Sequence, residues 1–343
     1  MQSSFLFFVV RRAINAIITL ILLILVVFAL IHIILPTPQA LARVYIGGAH
    51  VTAAQVSAAI VIYGLNKPIY IQFLNYLVNI FSGNFGIDTL YKVPELVLMQ
   101  KFIPITLELV IGGLVIQLGL GVLMGAVAAM RRNRWHDWLI KALYLLTWAA
   151  PVFLIGAMLQ FIFAYYMNVL PALNMANPYL IPPHVITGFP LIDAAIQGDW
   201  AYFDSLLKHL ILPVSAIALV GFGITTRLMR ASMIEALDKD YVKLSYMKGL
   251  SERKVAFTTA FRNALIPIIT LTAVQFGFAV AGAVVIEDIF LYKGMGYFLV
   301  QSVTSLDFIA ILGTTLIIGI SVIIANFAAD ILYSVVDPRI RLG

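Results

Sequence analysis

Ile105-Thr-Leu-Glu-Leu-Val-Ile-Gly-Gly-Leu-Val-Ile-Gln-Leu-Gly-Leu-Gly-Val-Leu-Met-Gly-Ala-Val-Ala-Ala-Met130 carries one ionisable side chain, Glu108, in 26 residues. A helix needs about 20 mostly apolar residues to cross roughly 30 Å of hydrocarbon, because its backbone polar groups find no partner there except each other. This segment meets that requirement and decides the class of the chain. Five more read the same way: Ala13 to Leu35, broken only by Asn15, Thr19 and His32; Ala142 to Met167, containing Pro151; Leu210 to Thr226, with Pro213 and Gly221; Ala264 to Ile286; and Phe308 to Ala329. The fourth, at 17 residues, sits at the lower length limit. Of 343 residues, 62% are hydrophobic and 11% charged. Soluble domains carry roughly a quarter charged residues, so a water-soluble enzyme is excluded, and so is disorder. The expected architecture is an all-α polytopic membrane protein with six transmembrane helices.

Arg11 and Arg12 before an apolar run, with Ala40-Leu41-Ala42 beyond it, imitate a secretory signal. The run of 23 residues exceeds the roughly 7 to 15 of a signal core, so it reads as an uncleaved first span. Lys and Arg set the orientation. With the N-terminus inside, 16 of the 22 basic residues fall on the cytoplasmic side, which carries +9 against −3 outside. Both termini are therefore expected to be cytoplasmic. The absence of Cys removes disulfides, thiolate metal sites and cysteine nucleophiles.

The chain divides into residues 1–104, the first span with an extracytoplasmic helical segment, and 105–343, a five-helix core with a cytoplasmic loop at 227–263. Within the first unit, Thr52-Ala-Ala-Gln55 has the form of a capping box opening a helix that Gly64 could close. Tyr70 to Phe81 is amphipathic, and a short helix is expected from Pro94 to Lys101 before Pro104 resets the chain. Five prolines between Pro171 and Pro190 make the first half of the second outer connection irregular.

The loop from Arg227 to Asn263 reads as two helices, Ala231 to Lys248 and Glu252 to Asn263. Gly249 suits a left-handed position after a helix, Lys248 the negative dipole end, and Ser251 an N-cap with Glu252 in the first turn. Glu235, Asp238, Asp240 and Glu252 interleave with the bases. Mixed charge suits a protein-docking surface better than a patch for anionic lipid.

From this loop outward the chain resembles the binding-protein-dependent ABC transporter permeases of the dipeptide/oligopeptide/nickel family, in particular the first of their two permease subunits. Asp240-Tyr-Val-Lys-Leu-Ser-Tyr-Met-Lys-Gly-Leu-Ser251 followed by Arg262-Asn-Ala-Leu-Ile-Pro267 is similar to that family's permease signature. Arg11-Arg12, Tyr63-Gly-Leu-Asn-Lys-Pro68, Gly83-Asn-Phe-Gly86, Pro104-Ile-Thr-Leu-Glu108, Gly282-Ala-Val-Val-Ile-Glu287, Gly294-Met-Gly296 and Asp337-Pro-Arg-Ile-Arg341 extend the likeness over nearly the whole chain. Two departures stand out. Lys243-Leu244-Ser245 replaces the Glu-Ala-Ala of permease signatures in general, and Thr37-Pro38-Gln39 replaces a usual Gly-Asp-Pro.

The resemblance implies a type I importer fold and a transport subunit that is not itself an enzyme. It assigns Asp240, Tyr241, Lys243, Leu244, Ser245, Tyr246, Met247, Lys248, Gly249, Leu250 and Ser251 to ATPase coupling. Its implied partners are a second homologous permease, one or two cytoplasmic ATPase subunits, an extracytoplasmic solute-binding protein and the cell membrane, with no nucleic acid. The chain contains no Gly-Lys dipeptide and hence no P-loop, so ATP and Mg²⁺ are expected on partner subunits and no cofactor on this one.

Polar residues inside the spans are the pathway candidates. Glu108 reads as a pathway carboxylate or as a residue at the outer interface. Gln160 and Gln275 could line a conduit or hydrogen-bond between helices. Glu287 and Asp288 suit a docking site or an ion pair with Lys293. Gly112, Gly113, Gly119, Gly121 and Gly125 are expected to allow close helix packing. The five histidines, His32, His50, His136, His184 and His209, are scattered, so no metal site is expected.

Peptide is the expected cargo by resemblance, with oligosaccharides or nickel complexes as alternatives. Tyr179, Trp200, Tyr202 and Phe203 suit either sugar stacking or an interfacial belt. An ion-coupled secondary transporter is the rival of another class, but charge at mid-span is nearly absent and no inverted repeat is visible. An intramembrane enzyme lacks its motifs: there is no His-Glu-x-x-His or Gly-x-Ser-x-Gly, and Asp330 has no second carboxylate at mid-span.

Overall fold

The computed structural model describes residues 2–46, 51–88 and 91–336. The chain ending from Asp337 to Arg341, and His50, lie outside the described residues. Described residues are almost wholly helical, with one isolated β-bridge between Ile87 and Pro94. Five helices are long and apolar enough to cross a membrane: Phe7–Ile34, Glu95–Met130, Trp200–Leu237, Ile266–Phe290 and Phe308–Ala328. A bent pair, Trp135–Ala149 with Val152–Tyr166, passes the same test when taken together and makes a sixth if the pair is one span.

In chain order, α1 (Gln2–Ile34) is followed by three short helices, α2 (Pro38–Ile46), α3 (Ala53–Ile62) and α4 (Ile69–Phe81). Thr52 and Gln55 form the expected reciprocal capping box at the start of α3. After α3 the chain turns at Gly64, whose φ is +64°. The α4 helix lies along α1, with Phe28 ringed by Phe73 and Tyr76 and with His32 hydrogen-bonded to Gln72.

The expected break at Pro104 does not occur. The short helix and the second span are one element, α5 (Glu95–Met130), with Pro104 inside it. Proline deprives the carbonyl four residues back of its donor. Gly188 of a neighbouring loop packs against both Pro104 and the Gln100 carbonyl. The third span is the opposite case, bending by 109° between α6 (Trp135–Ala149) and α7 (Val152–Leu159), which continues as a π-helical turn, Gln160–Tyr166. Proline forces its predecessor out of the α region, and Ala150 is extended at φ −82°, ψ 132°.

Past α8 (Pro190–Gln197) the fourth span grows into α9 (Trp200–Leu237), 38 residues or about 57 Å long. Its N-terminus is capped by Asp199, which accepts from the Tyr202 N–H at 3.0 Å. The loop expected as two helices is thus divided differently. α9 absorbs its first part through Leu237, then come α10 (Asp240–Met247) and α11 (Glu252–Lys254), a π-helical turn Val255–Ala260, and α12 (Phe261–Ala264). The chain finishes with α13 (Ile266–Phe290), α14 (Met295–Thr304) and α15 (Phe308–Val336).

α5 and α9 form the central pair and run parallel. In lipid, helices gain little from the hydrophobic effect on pairing, so close approach and dispersion contacts must hold them. Added Cβ atoms at Gly113, Gly121 and Gly125 would strike Ile217, Thr225 and Met229 on α9 at 2.6, 2.7 and 2.7 Å. Gly112 faces Val214 at 3.2 Å, whereas Gly119 has nothing within 4 Å. Four of the five glycines expected at a packing surface therefore sit there, and Gly119 does not. α5 and α9 run from an acidic end of the bundle, near α8 and Asp199, to a basic end at Arg131–Arg134 and α10.

At the basic end Arg230 grips Asp137 with two hydrogen bonds, Nε to Oδ1 at 2.7 Å and a second guanidinium nitrogen to Oδ2 at 2.9 Å. Lys141 adds an ion pair at 3.1 Å and the Asn133 N–H a further bond. The Asp137 carboxylate is wholly enclosed and Arg230 is 18% exposed, and this bidentate pair ties α6 to α9.

Gly125→Val drives a branched side chain into the Thr226 carbonyl, and overpacking of this kind costs about 1–3 kcal/mol. Its melting midpoint in the detergent-purified protein should fall clearly. Gly119→Val, in open space, should change it little.

Candidate translocation cavity and coupling surface

Between α5, α6, α7, α9 and α13 lies a cavity of about 350 Å³. Its walls are mainly apolar, with Trp148, Ile217, Val220 and Phe278 prominent, and among the described residues its amide side chains are Gln117 and Gln275. No lining residue among the described ones is charged. Gln117 Nε2 donates to the Thr225 hydroxyl at 3.0 Å, and the bare backbone of Gly221 leaves room for its amide. Gln275 is 6% exposed and lines the same space from α13.

Of the four residues singled out as pathway candidates, the structure places Gln275 alone on this cavity. Gln160 instead donates to the Ala172 and Ile289 carbonyls at 2.9 and 3.1 Å, tying the π-helical turn to the following loop and to α13. Glu108 sits under the acidic end, where Oε1 accepts from the Leu191 N–H at 3.2 Å in the first turn of α8. Its other oxygen is buried without a hydrogen-bond partner. Beside it Asp193 organises the loop ahead of α8, accepting from the backbone N–H groups of Ile186, Thr187 and Gly188 and from the Thr187 hydroxyl. Burial alone would raise this carboxyl, but the Thr187 hydroxyl and the three backbone donors hold it below the usual range.

Glu287 is fully enclosed. The Thr106 hydroxyl of α5 donates to its Oε1 at 2.6 Å, and the Tyr297 N–H of α14 to its Oε2 at 3.0 Å. Thr106 in turn accepts from the Met295 N–H at 2.8 Å. The carboxylate thereby caps the N-terminus of α14, where unsatisfied N–H groups and the helix dipole both favour negative charge. Gly294 and Gly296 are required by the closeness of this clasp. A Cβ on Gly294 would meet Glu287 Oε1 and Thr106 Oγ1 at 2.5 Å each, and one on Gly296 would run into the Val284 backbone. Glu287 neither lines the cavity nor reaches Lys293, which is exposed.

At the basic end, α10 is anchored by Val242, completely buried among Met229, Met233 and Ala236 of α9 and Val255, Ala256 and Ala260 beyond the loop. Leu250 packs against the same cluster. The opposite face is open: Tyr241, Leu244, Tyr246 and Met247 are 38%, 52%, 42% and 83% exposed. Lys243 and Asp240 pair at 2.9 Å on the surface, and Ser245 bonds back to the Tyr241 carbonyl. Lys248 closes the helix, and Gly249 takes the expected left-handed turn at φ +77° with nothing within 4 Å of a Cβ. A side chain there would meet only backbone strain, about 1–2 kcal/mol. Ser251 is extended, as at an N-cap, but its side chain makes no capping hydrogen bond.

The description of the binding-protein-dependent transport system inner membrane component matches residues 121–342, and that of the N-terminal part of such components matches residues 5–94. The chain belongs to this family. It is 35% identical over 280 residues to the probable D,D-dipeptide transport system permease protein DdpB of Escherichia coli (strain K12), covering 82% of each chain. It is 31% identical over 339 residues to the dipeptide transport system permease protein DppB of the same strain, covering 97% of this chain and 98% of that one. With the di/tripeptide transport system permease protein DppB of Pseudomonas aeruginosa (strain UCBPP-PA14) the figures are 33% over 318 residues, 92% and 93%.

This inner-membrane transport component carries polar residues that a reading of the sequence passes over. Gln117 had a signal, as a lone amide at the middle of an apolar run. Asp137 and Arg230 had none, since 93 residues separate the two halves of the pair.

Removing the acceptor leaves the Thr106 hydroxyl and the Tyr297 N–H buried without it, at about 1–3 kcal/mol each. Glu287→Ala should therefore lower the melting midpoint of the purified protein strongly. Glu287→Gln, which keeps an acceptor for Thr106, should recover much of the loss.

Proposed function

We propose that this chain is the first-type permease subunit of an ATP-driven importer, with its basic end at the cytoplasm, and that it forms one wall of the path taken by peptides handed over by an extracytoplasmic binding protein. The observation that carries this reading is mechanical. A single helix, α9, lines the cavity with Ile217, Val220 and Gly221 and buries the anchor of α10 with Met229 and Met233. A displacement of α10 therefore reaches the cavity through one rigid element.

The exposed apolar face of α10 is the docking surface for a cytoplasmic ATPase subunit. Asp240, Tyr241, Lys243, Leu244, Ser245, Tyr246, Met247, Lys248, Gly249, Leu250 and Ser251 make up this coupling segment, with Leu250 turned inward as a second anchor. One or two ATPase subunits bind ATP and Mg²⁺ and hydrolyse the nucleotide, and a second homologous permease supplies the facing wall. Closing of the ATPase pair pulls α10, α9 transmits the pull, and the cavity changes the side to which it opens. The peptide assignment rests on the relatives, whose names specify dipeptides and tripeptides.

Gly282 gives the direct test. It lines the cavity and has nothing within 4 Å of its Cβ, so a side chain there fills the path without colliding with the packing. Gly282→Leu should copurify with its ATPase partners in normal amount yet lose at least about tenfold in peptide uptake, the factor that about 1.4 kcal/mol represents. Normal uptake by a correctly assembled Gly282→Leu importer would remove the cavity from the pathway.

A further inference from the structure

Gln275 is nine-tenths buried, yet its amide has no hydrogen-bond partner among the described residues. It faces the cavity from α13. Across from it, Gln117 commits its amide nitrogen to Thr225 and keeps Oε1 free. The unpaired atoms of both amides remain accessible from the cavity, so they are available to whatever fills it. Around the two amides the walls are apolar and aromatic, with Trp148 and Phe278 the largest groups and no charge.

We propose that Gln117 and Gln275 read the backbone of the cargo. Gln275 offers both a donor and an acceptor, and Gln117 a second acceptor, which is the complement of a secondary amide with its N–H and C=O. A fixed carboxylate or ammonium on the cargo finds no counter-charge here and would be disfavoured. This half of the path therefore engages the uncharged peptide group, while the charged ends stay hydrated and side-chain charge goes unread. The inference rests on the cavity being the peptide pathway and adds which part of the peptide it touches.

Uptake by the whole importer in proteoliposomes, with one binding protein throughout, tests it. The probes are trialanine and its analogue N-methylated at both peptide bonds, which keeps the carbonyls and loses the N–H donors. Comparing the ratio of the two rates between variants cancels any preference of the binding protein. Gln275→Leu and the near-isosteric Gln275→Met should each slow trialanine about tenfold, the effect of one lost hydrogen bond, and slow the methylated analogue much less. Gln275→Glu should slow Ala-Glu-Ala more than Ala-Lys-Ala. If both Gln275→Leu and Gln275→Met keep the wild-type ratio while Gly282→Leu is blocked, the pathway stands and backbone reading is overturned. If Gly282→Leu transports normally, the pathway and the inference fall together.

Discussion

The Glu287 carboxylate is the constraint around which the acidic end is built. A carboxyl group enclosed by helices loses its hydration, and only well-aimed partners restore what water supplied. Here those partners come from two other elements: the Thr106 hydroxyl on α5 and the Tyr297 N–H on α14. Meeting that requirement fixes where α14 begins and demands glycine at 294 and 296, because a Cβ at either position would enter the clasp or the α13 backbone. Three helices are joined at one carboxyl group.

A second clasp closes the basic end, where Asp137 holds Arg230 and so binds α6 to α9. Between the two clasps the bundle has a different character. Packing of α5 on α9 is glycine-mediated and tight, whereas the space toward α6, α7 and α13 is open and holds only two amides. Strong polar junctions at the ends with a weakly bonded middle suit helices that tilt about fixed points. α9 touches everything in this scheme: capped by Asp199 at one end, it passes the cavity at Gly221 and reaches Val242 of α10 at the other.

Much of this was legible in the sequence, and the failures have physical causes. Apolar runs marked all five long spanning helices and the bent pair because hydrocarbon admits little else, and Thr52 with Gln55 announced a cap that needs only three residues of separation. Proline was the misleading signal. At Pro104 the helix continues with Gly188 of a neighbouring loop close against it, while at Pro151 an extended Ala150 turns the chain through 109°. Proline alone does not distinguish these outcomes, since both depend on what packs outside the helix. Neither the burial of Glu287 nor its purpose was legible: its place near a span end suited a docking site or an ion pair with Lys293, and Thr106 lies 181 residues away. Gly249 was readable for the reason opposite to that for Gly296: its left-handed φ is a local demand, whereas Gly296 is required by a neighbour.

The central claim is that α9 and α10 move as one body. The chain has no Cys, so two spin labels can be placed without removing any native thiol. Asp204→Cys near the acidic end of α9 and Glu252→Cys just beyond α10 are both exposed. Electron–electron distance measurements on the assembled importer, nucleotide-free and trapped with ATP, should agree within about 2 Å, the scale of shifts between packed elements. A change of about 5 Å or more, the size of a one-turn slip, would mean that α10 moves independently of α9 and would contradict the account.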